Sequence, residues 1–361
     1  MLAYLETRTR IIALVAIGAS LAALTLRLTG AGGVAVFAAS AVGLAGLAAM
    51  VGEGTEQLGR RLGPRATGVL QSGLGNLPEF FIGIFALRAG LLDVVRAALV
   101  GSILANTLLV LGLAFLLGGL RHGPQRFGAD QTRLMSTLLI LAVAALAIPT
   151  IATSSGGPAY GHETELSVFV SIVLLVVFAA SVPYAIGKGP AVGAIEDSTA
   201  GRPAWPMRMA IGSLLLAGIG AAFVSDWFVE ALRPAMSTLG MSEEFAGLVV
   251  VAIAGNAVEN VVGIQAMLAD KGDLAISVIL NSSLQVALAL APVLVLVSLF
   301  MGGATLTLVV SPLLVTALAL TAFLAALVVI DGESTWLEGV ALIGLYVILA
   351  ASVWWGPPIA G

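Results

Sequence analysis

Apolar stretches close to 20 residues long recur along the chain and are separated by short polar segments. A stretch of that length, wound as an α-helix, crosses the ~30 Å hydrocarbon core of a bilayer. The pattern therefore predicts an all-α integral membrane protein. It places eleven transmembrane helices at residues 11–28, 31–51, 66–88, 96–119, 133–151, 166–187, 208–229, 245–269, 274–300, 304–330 and 336–355. Arg8 and Arg10 precede the first stretch, but no convincing small-residue cleavage site follows before the next stretch begins, so we expect an anchor helix and not a signal peptide.

The basic residues collect on alternate connections between these stretches. With the N-terminus inside, twelve of the Lys and Arg residues lie on one side and four on the other. The inside set is Arg8, Arg10, Arg60, Arg61, Arg65, Arg121, Arg126, Arg133, Lys188, Arg202, Arg208 and Lys271, and the outside set is Arg27, Arg88, Arg96 and Arg233. Because positive residues favour the cytoplasmic side, the N-terminus is predicted to be cytoplasmic and the C-terminus outside.

Composition agrees with a surface that faces lipid. Hydrophobic residues make up 59% of the chain and charged residues only 10%, whereas soluble domains carry about 25% charged residues. The absence of cysteine excludes disulfides, thiolate metal sites and cysteine nucleophiles. The net charge of −4 is dispersed, and no basic aromatic patch indicates nucleic acid as a partner.

The chain repeats itself at an offset of 180 residues. The shift superposes Gly75 on Gly255, Asn76 on Asn256, Glu79 on Glu259, Gly83 on Gly263, Asp93 on Asp273 and Ser102 on Ser282. Each copy holds five predicted helices, an odd number, so the copies are expected to lie in opposite orientations, as in many secondary transporters. The predicted domains are an anchor helix at 1–30, a first repeat at 31–187, a cytoplasmic linker at 188–207 and a second repeat at 208–361.

Glu79 and Glu259 are the acidic residues set deepest in the apolar stretches. They lie 13 residues after Ala66 and 14 residues after Phe245, which is ~20 Å at the ~1.5 Å rise of an α-helix and close to mid-membrane. A charge at that depth costs on the order of 3 kcal/mol, and no Lys or Arg lies mid-span. Two states remain favourable, with both carboxyls protonated or both ionised around a shared divalent cation. Protons and the cation then compete for the same oxygens, which predicts proton/cation exchange.

Neighbouring residues suit a hard cation. Asn76 and Asn256 precede the glutamates by three positions, and Gly75 and Gly255, with Pro78, permit a helix distortion. The predicted metal-binding residues are Glu79, Glu259, Asn76, Asn256, Ser102, Ser282, Gln285, Gly75 and Gly255, and the two glutamates are also the predicted proton-transfer residues. Asn106 and Asn281 are further oxygen donors without polar counterparts at the offset. Oxygen ligands without thiolate or mid-span imidazole favour Ca²⁺, or Mn²⁺, over zinc or copper.

Simpler roles for these side chains stay open. A protonated glutamate holds helices together through one hydrogen bond. Asparagines tie neighbouring helices in the same way, and a serine in a membrane helix is often just a small packing residue.

At these motifs the chain closely resembles the calcium/proton antiporters (CAX) of the cation/calcium exchanger superfamily. The resemblance lies in the stretches GEGTEQLG, GNLPEFFIGIFALRAG, GSILANTLLVLG, SEEFAGLVVVAIAGNAVENV, KGDLAISVILNSSLQVALALAPVLVL and DGESTWLEG. It implies one N-terminal helix followed by two five-helix halves, with Glu79 and Glu259 binding cation and proton alternately. Asn76, Asn256, Ser102, Ser282 and Gln285 would support them. It also implies export of Ca²⁺ from the cytosol.

The chain departs from that family in three places. Asn260 stands where many members carry histidine, Asn281 stands where a glycine commonly leads, and the linker holds only Glu196 and Asp197 where relatives often carry a richer acidic segment. Gly-Asn in both repeats, where sodium-coupled relatives typically carry Gly-Thr or Gly-Ser, favours protons as the counter-ion.

The sequence thus predicts a Ca²⁺/H⁺ antiporter without cofactor or catalytic residues, in a prokaryotic plasma membrane, with Ca²⁺, H⁺ and the bilayer as partners; a homo-oligomer stays open. The alternatives are exchange of Mn²⁺, Na⁺ or K⁺ through the same fold, a passive cation channel, and an intramembrane enzyme using two carboxylates as acid and base. No partnered nucleophile or His/Glu metal motif favours the enzyme.

Overall fold

The computed structural model describes residues 7–62, 73–188 and 205–355, and these residues are almost entirely helical. The elements in chain order are α1 (Thr7–Leu28), α2 (Gly33–Leu62), α3 (Leu77–Arg88), α4 (Leu92–His122), β1 (Gln125–Arg126), α5 (Ala129–Ala152), α6 (Glu163–Lys188), α7 (Met207–Leu239), α8 (Glu243–Gly255), α9 (Ala257–Leu268), α10 (Gly272–Ser298), α11 (Pro312–Val329), β2 (Glu333–Ser334) and α12 (Trp336–Trp354). Three short π-helical segments interrupt the longer helices, at Ala105–Val110 in α4, Ala246–Val251 in α8 and Val286–Leu290 in α10.

Within the described residues, nine helices are long and apolar enough to cross a membrane, and α8 with α9 forms a bent pair that makes a tenth. The third predicted span is represented by α3, and its residues 66–72 lie outside the described residues, as does most of the predicted linker. The all-α membrane architecture is confirmed, and the count of eleven helices stays a prediction.

One predicted span is only partly helical. The sequence places a helix at 304–330, but α11 begins at Pro312 with Ser311 as its N-cap, and residues 304–311 are not helical. Backbone N–H groups of this segment donate to hydroxyls of neighbouring helices: Leu306 to Ser298, Leu308 to Ser167 and Val310 to Thr150. Hydropathy does not separate helical from non-helical apolar residues, and here side chains supply the hydrogen bonds that a helix would otherwise provide.

The pattern of elements repeats at the offset seen in the sequence. Helices α3 and α9 are both 12 residues long and begin at Leu77 and Ala257, 180 residues apart. The next helices begin at Leu92 and Gly272, again 180 apart, and each contains a π-helical segment near its middle. Local folding therefore follows the sequence repeat.

Contacts group the described chain into two compact units, which do not coincide with the two sequence repeats. The first unit contains α1, α2, α3, α7, the end of α6 from Val182, and Ala254–Val258. The second contains α4, α5, the rest of α6, α8 up to Ile253, α9 from Glu259, and α10 to α12. Each unit thus draws segments from both repeats, and the predicted repeat boundaries stay a prediction from the sequence.

In the first unit, α2 packs along α7 and against α1. Phe37 of α2 stacks on Phe228 of α7 with ring centroids 4.7 Å apart. A Cβ atom at Gly43 would lie 3.0 Å from the Ser20 hydroxyl of α1 and 3.4 Å from a Val224 methyl group of α7. Small residues therefore allow close packing of the three helices, as is common within membranes.

In the second unit, α4 is one of the two most buried candidate spans among the described residues, together with α10. A Cβ atom at Gly101 would lie 2.3 Å from the carbonyl oxygen of Leu248 in α8, and one at Gly112 would lie 2.8 Å from the carbonyl oxygen of Gly339 in α12. Glycine is required at both crossings because the partner is backbone, which does not move aside as a flexible side chain does. These crossings hold the segment between Gly101 and Gly112, which carries Ser102 and Asn106.

Candidate functional site

Glu79 lies in the first turn of α3, directly after a break in the chain's helical path. Gly75 and Asn76 form the turn, and Asn76 is the N-cap residue of α3. Pro78 follows in the first turn, where its missing N–H removes no hydrogen bond from the new helix. The carboxyl of Glu79 therefore lies at the positive end of a helix dipole, close to backbone N–H groups that no preceding turn satisfies.

Glu259 occupies the corresponding place in α9. Helix α8 ends at Gly255, α9 begins at Ala257, and the axes of the two pieces differ by 63°. A negative charge in the first turn of a helix gains about 0.3–1 kcal/mol, and up to ~2 kcal/mol when partly buried. The break in each repeat thus offsets part of the cost of placing a carboxylate among apolar helices.

These breaks change the geometry expected of the two asparagines. The spacing of three residues implied that each asparagine shares a helix face with the glutamate that follows it. In the structure α9 begins one residue after Asn256, and Asn76 is a cap residue, so neither asparagine lies within the helix of its glutamate.

In the first unit, Glu79 instead contacts the motif of the other repeat. The Asn256 amide Nδ2 donates a hydrogen bond of 2.6 Å to Oε1 of Glu79. Asn256 is 0% exposed and Glu79 is 8% exposed. A Cβ atom at Gly255 would lie 2.5 Å from Cγ of Glu79, so the glutamate lies directly against the glycine backbone. Gly255 and Asn256, predicted from the repeat, together fix the position of the Glu79 carboxyl.

In the second unit, Ser282 of α10 meets Asn106 of α4. The Asn106 amide Nδ2 donates a 3.0 Å hydrogen bond to the Ser282 hydroxyl, and both residues are buried. The Oδ1 atom of Asn106 is buried too and has no hydrogen-bond partner among the described residues. An amide oxygen that faces the protein interior in this way is suited to accept a hydrogen bond or to bind a hard cation.

The π-helical segments lie beside these polar groups. Asn106 is the second residue of the segment Ala105–Val110, and Gln285 immediately precedes the segment Val286–Leu290. Ser102 and Gln285 are both buried in the second unit. A π-helical turn inserts one residue into a helix and is frequent at functional sites, because it turns side chains to a different direction.

The structure thus places every predicted site residue within the described chain. It brings Gly255 and Asn256 onto Glu79 in the first unit, and it pairs Ser282 with Asn106 in the second. Asn106 was only loosely favoured by the sequence because it has no polar counterpart 180 residues later. Its signal was its place four residues after Ser102 on the same buried helix.

Comparison with known proteins agrees with this architecture. The sequence profile of the family described as "Sodium/calcium exchanger protein" matches residues 32–187 and 209–355. A Ca(2+)/H(+) antiporter of Aphanothece halophytica is 33% identical over 345 residues, which cover 90% of this chain and 91% of that protein. The Ca(2+)/H(+) antiporter ChaA of Bacillus subtilis (strain 168) is 34% identical over 325 residues, covering 87% of this chain and 90% of that protein.

A solved structure shows the same fold. The structure of native YfkE superposes with a TM-score of 0.82 at 31% sequence identity, and the match covers 95% of this chain and 99% of that one. The helical architecture, the family profile and these relatives agree over nearly the whole length of the chain. The protein is therefore an integral membrane protein that belongs to the sodium/calcium exchanger family.

Proposed function

We propose that the protein is a secondary active antiporter that exchanges Ca²⁺ for H⁺ across the membrane through Glu79 and Glu259. The observation that carries the proposal is the buried hydrogen bond between Glu79 of one repeat motif and Asn256 of the other. The relatives named Ca(2+)/H(+) antiporter support the two ions.

The mechanism follows from the chemistry of a buried carboxyl. When Glu79 is protonated it is neutral and is tolerated among apolar helices. When it is ionised, the first turn of α3 and the Asn256 amide each stabilise the negative charge only in part. A bound cation supplies the remaining compensation, so the cation and the proton exclude each other. Exchange, and not independent passage of either ion, is the expected result.

The remaining site residues are proposed as oxygen donors to the same cation. Asn76, Ser102, Ser282 and Gln285 supply amide and hydroxyl oxygens, while Gly75 and Gly255 supply space and backbone freedom at the helix breaks. Glu259 lies in the first turn of its own helix, and in the second repeat it is proposed to bind the cation and the proton as Glu79 does in the first. The match of the family profile to residues 32–187 and 209–355 supports the division into two repeats.

The orientation of the chain is proposed from the distribution of basic residues, and export of Ca²⁺ from its resemblance to the calcium/proton antiporters. With the N-terminus cytoplasmic, the protein in a prokaryotic plasma membrane uses the inward proton gradient to export Ca²⁺ from the cytosol, without a cofactor. No chemical transformation is needed for this cycle, so the protein is proposed to be a transporter and not an enzyme.

A second candidate function is exchange of another cation, such as Mn²⁺, Na⁺ or K⁺, at the same site. This exchange is favoured by the mixed set of amide and hydroxyl groups in the second unit, where Asn106 adds an amide oxygen. Competition by each cation against ⁴⁵Ca²⁺ in the same vesicles distinguishes the two.

The test is ⁴⁵Ca²⁺ uptake by proteoliposomes with an imposed pH gradient, acid inside. Wild-type protein is expected to accumulate Ca²⁺ and to release protons in proportion, whereas Glu79→Gln and Glu259→Gln remove the exchangeable proton and abolish uptake. Glu165→Gln is the matched control because the Glu165 side chain is 73% exposed. Wild-type uptake in either glutamate variant would rule out the site, and Ca²⁺ flux without proton movement would indicate a channel.

A further inference from the structure

A chain of hydrogen bonds lies at the C-terminal end of α2, among residues that the proposed exchange site does not use. The Gln57 amide nitrogen Nε2 donates a hydrogen bond of 2.9 Å to Oε1 of Glu53. The backbone N–H of Trp205 donates a hydrogen bond of 3.1 Å to Oε1 of Gln57. The Arg61 side chain donates to the carbonyl oxygen of Trp205. Glu53, Gln57 and Arg61 are four residues apart, so they share one face of α2.

The partners fix the orientation of the Gln57 amide. The N–H of Trp205 needs an acceptor and the carboxylate of Glu53 needs a donor, so the reversed amide would lose both hydrogen bonds. Gln57 and Trp205 are buried, with 6% and 3% of their surfaces exposed. The amide therefore has one arrangement, and it holds the Glu53 carboxylate in one direction.

The cluster lies beside a close contact between two helices. Trp205 lies two residues before the start of α7, and Gly54, next to Glu53 in α2, packs on α7. A Cβ atom at Gly54 would lie 3.3 Å from the Leu214 side chain and 3.5 Å from the carbonyl oxygen of Ala210. Gln57 thus connects Glu53 to the beginning of α7 across a closely packed contact within the first unit.

Glu53 itself is partly exposed. In the part of the chain that the structure describes, its carboxylate forms no ion pair with Lys or Arg, and its polar contact is the Gln57 amide. A carboxylate that is oriented but not neutralised is suited to meet an incoming cation, because little side-chain freedom remains to be lost on binding.

We propose that Glu53 captures the transported divalent cation at this end of α2, and that Gln57 is the positioning residue that orients the Glu53 carboxylate through the Trp205 backbone. The inference rests on the proposed function, since it assigns a first contact to the same cation. The ordering of one long side chain accounts for about a three- to tenfold difference in apparent affinity.

The experiment measures initial rates of pH-gradient-driven ⁴⁵Ca²⁺ uptake against Ca²⁺ concentration, in vesicles that expose the Glu53 end of α2 to the added Ca²⁺. Glu53→Gln and Gln57→Met are each expected to raise the apparent KM for Ca²⁺ about three- to tenfold while Vmax stays within about twofold. In the double variant Glu53→Gln/Gln57→Met, KM is expected to equal that of Glu53→Gln alone. Gln125→Leu, which removes another buried glutamine, is the control with unchanged KM.

The outcomes separate a positioning role from a structural one. If Gln57 only holds the fold together, Gln57→Met lowers Vmax or still changes KM in the Glu53→Gln background, and the inference is overturned. An unchanged KM in Glu53→Gln overturns it as well, whatever the Gln57 variant does. Absence of uptake by the wild-type protein would instead refute the proposed exchange, so the two failures are distinguishable.

Discussion

Replacing Gly255 by alanine adds one methyl group directly against Glu79. The new Cβ atom would lie 2.5 Å from Cγ, 3.2 Å from Oε1 and 3.3 Å from Cδ of Glu79, whereas ordinary contacts begin at 3.4 Å. Relief of the closest contact alone requires a shift from 2.5 to 3.4 Å, or 0.9 Å. The glutamate side chain moves more readily than the backbone at Gly255, so the displacement falls on the carboxyl.

That displacement is large compared with the tolerance of a metal site. Ca²⁺–oxygen distances span only ~2.3–2.6 Å, and a hydrogen bond of 2.6 Å between Asn256 and Glu79 would lengthen beyond the normal range if the carboxyl moves away from α8. Loss of one hydrogen bond to a charged group costs about 1.5–3 kcal/mol, which corresponds to about a 10- to 150-fold weaker apparent affinity for Ca²⁺.

The fold is expected to tolerate the same change. Overpacking by one methyl group lowers the free energy of unfolding by about 1–3 kcal/mol. Alanine in place of glycine within a helix raises it by up to ~1 kcal/mol. The net destabilisation of about 0–2 kcal/mol leaves Gly255→Ala folded but defective in transport. Gly218→Ala is the matched control, since a Cβ atom there meets nothing within 4 Å in the same compact unit.

The assay combines ⁴⁵Ca²⁺ uptake over a range of Ca²⁺ concentrations with thermal unfolding of the purified variants. Gly255→Ala is expected to show a 10- to 150-fold higher apparent KM and Gly218→Ala an unchanged KM, with similar melting temperatures for both variants. A wild-type KM in a folded Gly255→Ala protein would refute the idea that the Gly255 backbone sets the position of Glu79.

Two further predictions concern the second unit and the orientation of the chain. Asn106→Ala and Ser282→Ala are expected to show a coupling of about 1 kcal/mol in the free energy of unfolding, because they share one buried hydrogen bond; additivity within ~0.3 kcal/mol would contradict the pairing. Since the chain has no cysteine, Ser154→Cys and His122→Cys each introduce a single exposed label site. An impermeant maleimide added to intact cells is expected to label Ser154→Cys alone, and the reverse pattern would invert the proposed topology.

Much of the architecture follows from local sequence properties. Hydropathy predicts where helices cross the membrane because each residue's preference for lipid or water acts independently of the rest of the fold. The repeat identifies Glu79 and Glu259 without a structure, because a costly charge is placed at the same position in both copies. The helix breaks at Gly75 and Gly255 were likewise anticipated from the two glycines and Pro78.

Other features depend on which segments meet in space. The sequence did not indicate that Asn256 bonds to Glu79, 177 residues away, nor that Asn106 bonds to Ser282. Hydropathy also assigned residues 304–311 to a helix, since an apolar segment held by hydroxyls of other helices has the same composition as a membrane span.

The sequence by itself therefore determined the class of protein, and it predicts two repeats and the two acids that are proposed to carry exchange. The tertiary structure alone decided which donor faces each acid, where π-helical turns redirect side chains, and how Gln57 connects Glu53 to Trp205. The physical reason is that burial and helix formation are properties of short segments. Hydrogen-bond geometry, in contrast, depends on distant helices packing to within a fraction of an ångström.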